Sequence, residues 1–176
     1  YRAGIYGSMG EQVLGLEAIS PTGEIFRTRA VAKHSAGVHL NALLIGGEGC
    51  FGVITEATIR IFPKPEAQLL SGYLFFSFEI GYRAIQKIFQ QRLRPAMLDF
   101  GDDEETRERG AVLYLLFEGN APLVATEEKL AAAICLADGA KELPRQEAQQ
   151  FWRGRHEIAR RFAENRRQRR ERGRDG

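Results

Sequence analysis

Residues that build disulfide scaffolds and metal centres are scarce in this sequence. It has two cysteines, three histidines and one tryptophan among 176 residues. Cys50 and Cys135 lie far apart and without metal-ligand spacing, which argues against a disulfide framework and predicts a reducing, cytoplasmic setting. His34 and His39 are five positions apart, whereas two ligands on one helix face need a spacing of four. We therefore expect no metal site.

Long apolar runs are also missing. No segment is apolar over the length needed to cross a membrane, and the first residues show no signal-peptide pattern, so we expect no membrane span. The net charge is only +2, but most of the excess arginine follows Trp152. Such a basic end can bind a phosphate backbone. Because no aromatic residues are interleaved with it, a nucleic-acid partner is the less favoured interpretation.

The most informative segment is rich in glycine. Residues 46–52 hold four glycines around Glu48, between an apolar run and a long alternating run that both look buried. Glycine permits positive φ and lets a ligand approach the main chain with no side chain in between. The composition predicts that something lies close to this backbone. A plain glycine turn between two strands is the alternative that the residue types alone leave open.

The same glycines satisfy the dinucleotide pattern G-x-G-x-x-G, but the residues after them do not support that interpretation. The pattern needs a helix whose N-terminus holds a pyrophosphate. Residues 53–61 instead alternate apolar and polar positions and are rich in β-branched residues, which predicts a strand. The acidic residue expected about 20 positions further on is also missing, since residues 71–73 are Ser, Gly and Tyr. A nicotinamide-type site is therefore rejected.

The glycine segment and its flanks resemble a known family. The string IGGEGCFGVITEATIR at 45–60, followed by FPKPE at 62–66, is similar to the signature of the vanillyl-alcohol-oxidase-type FAD-linked oxidases. These PCMH-type flavoproteins include glycolate oxidase subunits, D-lactate dehydrogenases and alkyldihydroxyacetonephosphate synthases. VLGLE at 13–17, PTGEI at 21–25 and the pattern K-x-S-x-G-x-x-L at 33–40 extend the match. The resemblance covers about residues 1–120 and is poor beyond them.

The resemblance implies FAD as the cofactor and assigns its contacts to one segment: Glu48, Gly49, Cys50, Phe51, Gly52, Val53 and Ile54. Glu48 is expected to cap a helix or to hold the loop by accepting backbone N–H bonds. Family members commonly have Ser where Gly47 stands and Thr-Leu where Cys50 and Phe51 stand, which contacts through the main chain tolerate. No histidine base adjoins Cys50, so we interpret it as a half-buried thiol rather than a nucleophile or a covalent flavin anchor.

The predicted fold class is α+β. The resemblance implies the second half of a PCMH-type FAD-binding domain over residues 1–65, then a partial ferredoxin-like substrate or cap domain over 66–150. A basic helical or disordered tail is expected over 151–176. The family's Pro-Gly-Gly-Gly-type pyrophosphate loop is absent. We therefore expect a fragment that, in isolation, binds FAD weakly or not at all.

Periodicity and turn residues place the elements. In the first part we predict a loop at 5–9, a hairpin with strands at 12–20 and 24–29, a loop at 30–38, a helix at 40–45 and a strand at 53–61. In the second part we predict strands at 69–78, 96–100 and 111–117, and helices at 80–92, 122–136 and 142–172. The order strand, helix, strand, strand, helix indicates a ferredoxin-like unit.

The function that the resemblance implies is oxidation of a small 2-hydroxy acid of the glycolate or D-lactate type, by hydride transfer to flavin. Two alternatives stay open: an alkyldihydroxyacetonephosphate-synthase-like transferase of ether-lipid synthesis, and an inactive fragment whose basic tail binds polyanions. Trp152 and Arg155 resemble a W-x-x-R arrangement that would make Arg155 a substrate ligand; otherwise Trp152 is core and Arg155 solvated. No catalytic base is predicted, because His156 lies in the least similar region.

Overall fold

The computed structural model describes residues 2–32, 37–102 and 110–157. The chain divides into two compact units, an N-terminal unit that ends at Pro65 and a C-terminal unit that begins at Glu66. Some predictions fall outside the described residues. These are the part of the K-x-S-x-G-x-x-L pattern at 33–36, His34, and the basic tail and long helix beyond 157.

The N-terminal unit is a three-stranded antiparallel sheet with three short helices. The helices are α1 (Ala3–Tyr6), α2 (Met9–Gln12) and α3 (Leu40–Leu44), and the strands are β1 (Val13–Ile19), β2 (Ile25–Arg27) and β3 (Val53–Ile59). β1 lies in the centre, and both neighbours run antiparallel to it. The predicted hairpin, the helix before the glycines and the strand after them are confirmed.

The prediction of a loop at residues 5–9 is wrong at both ends, because residues 5 and 6 belong to α1 and residue 9 begins α2. The Ser8 side chain accepts a hydrogen bond from the Glu11 N–H, and the Glu11 carboxylate accepts one from the Ser8 N–H at 2.6 Å. This capping box satisfies two backbone donors that a helix start otherwise leaves open. The spacing Ser-x-x-Glu was visible in the sequence, but the glycines on either side obscured it.

The expectation that the strand after the glycines is buried is also wrong. All seven residues of β3 are exposed, and among residues 2–32 and 37–65 the buried apolar cluster consists of Leu16, Ala18 and Leu44. A period of two tells which residues share a face of a strand. It does not tell whether anything covers that face.

The C-terminal unit is a four-stranded antiparallel sheet with two helices on one face. Its elements are β4 (Ala67–Phe75), α4 (Phe78–Gln90), β5 (Met97–Asp102), β6 (Ala111–Gly119), α5 (Ala121–Ala137), β7 (Lys141–Glu142) and α6 (Arg145–Gly154). The strand order β5-β6-β4-β7 is that of a βαββαβ, ferredoxin-like unit. The α+β class is confirmed, but the predicted helix start at residue 142 is wrong, because Glu142 pairs with β4 in the two-residue β7 and α6 begins at Arg145.

A continuous core fills the space between this sheet and its helices. Tyr73, Phe75, Leu113, Leu115 and Phe117 from the sheet are fully buried against α4 and α5. β4 ends earlier than predicted because the Ser77 side chain accepts from the Ile80 N–H and starts α4. On the other face of the sheet, α6 stacks the Phe151 ring on Tyr114 with centroids 3.9 Å apart.

Candidate functional site

The glycine segment forms a tight turn between α3 and β3. Gly46, Glu48 and Gly49 have φ of 80°, 48° and 84°, in the left-handed region that glycine enters at no steric cost. The Gly47 N–H donates to the Leu44 carbonyl at 3.1 Å, and the Cys50 N–H donates to the Gly47 carbonyl at 2.9 Å. These bonds hold the turn within the segment itself.

The main chain of this turn is uncovered. A Cβ at Gly46 or Gly49 would meet nothing within 4 Å, and Glu48 and Cys50 are exposed. The half-buried position expected for Cys50 is therefore wrong, because the thiol is exposed at the surface of the turn. The Glu48 carboxylate accepts no hydrogen bond from the described part of the chain, so its expected capping role is not seen there. A flat ligand has room to approach this backbone.

Two of the four glycines have a role within the fold itself. A Cβ at Gly47 would lie 3.0 Å from the Leu43 carbonyl oxygen, and one at Gly52 would lie 2.5 Å from the Ile19 carbonyl oxygen. Gly52 also has φ of 144°. The alternative of a plain glycine turn accounts for these two positions. The positive φ of Gly46 and Gly49 fits a plain turn as well, and the open space beside them is what leaves room for a ligand.

Apolar side chains surround the bare backbone. Phe51 is 49%, Val53 65% and Ile54 43% exposed, and β3 joins β1 with Val53 opposite Ile19. Exposed apolar side chains beside unscreened N–H and C=O groups suit a flat, aromatic ligand with a polar edge. The segment therefore offers both contact types that such a ligand uses.

A buried asparagine, which the sequence analysis missed, fixes the start of the turn. Asn41 of α3 is 5% exposed. Its amide donates to the Leu14 carbonyl at 3.1 Å and accepts from the Thr28 hydroxyl at 2.5 Å. Thr28 also accepts from the Leu16 N–H at 2.8 Å. These bonds tie α3 to β1, and the only signal in the sequence is one polar residue inside the run LNALL.

Arg155 lies in the C-terminal unit, directly after α6. Its guanidinium lies 3.7 Å from the Trp152 ring centroid and donates to the Trp152 carbonyl. Both residues are half-buried, so the picture of a core tryptophan with a solvated arginine is wrong. The planar guanidinium stacks on the indole face, which holds it in one orientation. Its role as a substrate ligand stays a prediction.

Within residues 2–32, 37–102 and 110–157, no group of three His, Cys, Asp or Glu side chains could hold a metal ion. None of the helices in them has the length and apolar character that a membrane span requires.

Comparison with solved structures defines the class of fold. An alkyldihydroxyacetonephosphate synthase matches 80% of this chain with a TM-score of 0.69 at 23% identity, over 30% of its own chain. Substrate-bound p-cresol methylhydroxylase matches 81% with a TM-score of 0.60 at 15% identity, over 36% of its chain. The fold is thus shared with PCMH-type proteins. No family model matches the chain.

Curated relatives confirm the resemblance that the glycine segment predicts. The chain is 31% identical over 102 residues to an alkyldihydroxyacetonephosphate synthase of Trypanosoma brucei brucei, covering 58% of this chain. It is 30% identical over 139 residues to the FAD-linked oxidoreductase YgcU of Escherichia coli O157:H7, and 32% over 143 residues to the glycolate oxidase subunit GlcD of Bacillus subtilis, each covering 74%. The chain spans 16%, 29% and 30% of these relatives.

Proposed function

We propose that this chain is the part of an FAD-dependent oxidoreductase that holds the flavin against the main chain of residues 48–54. The observation that carries the proposal is the uncovered backbone at Gly46 and Gly49. It lies inside the string that resembles FAD-linked oxidases, and relatives named as FAD-linked oxidoreductases support it. The whole protein's activity belongs to the same proposal.

The residues of the segment fit the group that the resemblance implies. Free backbone N–H and C=O groups can hydrogen-bond to the polar edge of a flat ring, and glycine lets them come close. The exposed apolar side chains of Phe51 and Val53 can shield the ring from water. When bound, FAD supplies the hydride acceptor; the protein positions and shields it.

For the substrate we propose a small 2-hydroxy acid. The relative named as a glycolate oxidase subunit supports this choice, and Arg155, held flat on Trp152, is a suitable partner for the carboxylate. We assign residues 1–65 to the FAD-binding domain and 66–150 to the substrate domain, which α6 extends beyond residue 150 because Phe151 stacks on Tyr114. The basic tail therefore begins later than the predicted residue 151, and we place the protein in the cytoplasm. The catalytic base is left unassigned.

A transferase of the alkyldihydroxyacetonephosphate synthase type is the second candidate. It is supported by the match to the Trypanosoma brucei brucei relative and by the TM-score of 0.69 to a solved synthase. A third hypothesis, an inactive fragment that binds polyanions, depends on the basic tail beyond residue 157.

The proposal is tested by titrating FAD into the isotopically labelled chain and following backbone amides by NMR. We expect shifts confined to residues 46–54, with a dissociation constant weaker than about 1 µM. The informative variant is Gly49→Asn, because asparagine tolerates positive φ and adds a side chain over the bare backbone. Gly23→Asn is the matched control, since Gly23 also has φ of 88° and open space around its Cβ position.

Binding lost in Gly49→Asn and kept in Gly23→Asn supports the proposal. The proposal is overturned if FAD shifts amides of the chain but none at residues 46–54, or if both variants bind like the unchanged chain.

A further inference from the structure

A second candidate site lies at the other end of the same sheet. The glycine turn meets the sheet where Val53 pairs with Ile19, whereas Val13 pairs with Ile59 at the opposite end. A cleft of about 630 Å³ opens there between residues 2–12 and 60–65. Seven strand residues at about 3.3 Å each separate the two ends by roughly 20 Å. The cleft is therefore distinct from the proposed cofactor segment.

Hydrogen bonds and a ring contact hold the walls of the cleft together. The Arg60 N–H donates to the Gln12 carbonyl at 2.8 Å, and the Gln12 side-chain amide donates to the Gly7 carbonyl at 3.3 Å. The rings of Tyr6 and Phe62 meet edge to face with centroids 4.7 Å apart. The cleft is thus a built feature in which residues on both sides are tied to each other.

The lining of the cleft is cationic. Arg2, Arg60 and Lys64 line it, and no aspartate or glutamate does. Arg60 and Lys64 form no ion pair with any residue that the structure describes. Of the two nearest carboxylates in sequence, Glu66 accepts from the Asn120 amide and the Ala121 N–H, whereas Glu11 accepts from the N–H of Ser8, which itself lines the cleft.

We infer that this cleft binds the phosphate group of an organic phosphate, with Arg60 and Lys64 as its cationic ligands. A guanidinium presents paired donors that match phosphate oxygens, and an ammonium adds a compact charge. Ile61, Phe62 and Pro63 line the same cleft and offer an apolar surface to the organic part. This combination favours a phosphate monoester over inorganic phosphate. The inference does not depend on flavin binding.

The test is an NMR titration of the whole chain with phenyl phosphate and, separately, inorganic phosphate at constant ionic strength. We expect saturable shifts of amides at 6–12 and 60–64, with phenyl phosphate binding more tightly. Arg60→Gln and Lys64→Gln should each weaken binding about tenfold. Arg83→Gln and Lys129→Gln remove the same charge from exposed positions of the C-terminal unit and should leave binding unchanged.

Three results would overturn the inference. The first is the absence of saturable shifts. The second is an equal loss of binding in the control variants, which would reduce the binding to diffuse electrostatics, and the third is displacement of phenyl phosphate by FAD, which would assign the phosphate contacts to a dinucleotide. Shifts at 46–54 report on the proposed flavin contact separately, so the two proposals can fail independently. Arg60 and Lys64 are exposed, and Arg60 bonds Gln12 through its backbone, so both variants should fold.

Discussion

The two units of this chain differ in how much apolar surface they bury. In the described residues of the C-terminal unit, thirteen apolar side chains form one buried cluster between the sheet and its helices. In the part of the N-terminal unit that the structure describes, the buried cluster has three members, and β3 is exposed along its whole length. Burial of apolar area is the main favourable term in folding. The C-terminal unit is therefore stabilised by its own buried core, whereas the N-terminal unit is held chiefly by backbone pairing, turns and a few polar bonds.

The largest expected effect is a core truncation in the C-terminal unit. Phe117→Ala removes a fully buried ring and should lower the free energy of unfolding by about 3–5 kcal/mol. Ile59→Ala in the N-terminal unit, where the side chain is 46% exposed, should cost about 1 kcal/mol or less. Urea unfolding followed by amide signals of each unit measures both. Similar losses of unfolding free energy for the two variants would contradict the difference in apolar burial between the two units.

Gly52→Ala should destabilise the N-terminal unit alone, by about 2–4 kcal/mol. The added Cβ would lie 2.5 Å from the Ile19 carbonyl oxygen, at a φ of 144°. Gly23→Ala is the control, because its surroundings are open and only its positive φ costs energy, about 1–2 kcal/mol. Hydrogen exchange should accelerate in β1 and β3 and stay unchanged in the C-terminal unit. Equal effects of the two substitutions would contradict the steric explanation.

Asn41→Leu tests the polar bonds that tie α3 to β1. The substitution leaves the Leu14 carbonyl without its donor and the Thr28 hydroxyl without its acceptor, which should cost about 1–3 kcal/mol. Leu43→Ala on the same helix, where the side chain is 47% exposed, should have little effect. Thermal unfolding of the N-terminal unit distinguishes them. Unchanged stability in Asn41→Leu would mean that these bonds do not fix the glycine turn.

The smallest effect is a pH dependence of the C-terminal unit. Burial raises the pKa of the Cys135 thiol to about 12, from an ordinary value of 9.0. A group whose pKa is higher in the folded protein makes its full contribution to stability below the pKa it has in the unfolded chain. That contribution is lost as pH rises through the folded pKa. Above about pH 9, this thiol should lower the free energy of unfolding by about 1.4 kcal/mol per pH unit.

Cys135→Ala should therefore make the alkaline loss of stability less steep. Burial also raises the pKa of Tyr73 from its ordinary value of 10.0, so this tyrosine adds to the slope only near and above pH 10. Urea unfolding at pH 8, 9 and 10 measures how steeply the free energy of unfolding falls with pH in the unchanged chain and in Cys135→Ala. Identical slopes would contradict the burial of this thiol.

The sequence predicts the elements that carry a strong period. The hairpin, α3, β3, α4, α5 and the three longer strands of the second sheet follow from alternation or helical spacing. The two-residue β7 is too short for a period, and α2 depends on one capping box rather than on a pattern. The exposure of β3 could not be predicted, because the pattern of a strand is the same whether or not something covers it.

The candidate site, like the fold, was predicted only in part from the sequence. The resemblance assigned the flavin contacts to residues 48–54, which stays a prediction, and the alternation at 53–61 excluded a helix after the glycines. The sequence did not predict that Gly52 serves the strand pair while Gly49 lies open, since both are simply glycines until the position of the Ile19 carbonyl is known. Asn41 was missed because a lone asparagine in an apolar helix gives no sign of the partners it will reach.

The most direct test of the account uses the two cysteines as reporters. Cys50 lies exposed in the glycine segment, and Cys135 is buried in the other unit. A thiol reagent should modify Cys50 quickly and Cys135 only after the C-terminal unit opens. If flavin lies against residues 48–54, FAD should slow modification of Cys50 in a saturable way and leave the rate at Cys135 unchanged. Saturable FAD binding, seen as quenching of flavin fluorescence, that leaves the Cys50 rate unchanged would contradict the proposed flavin contact.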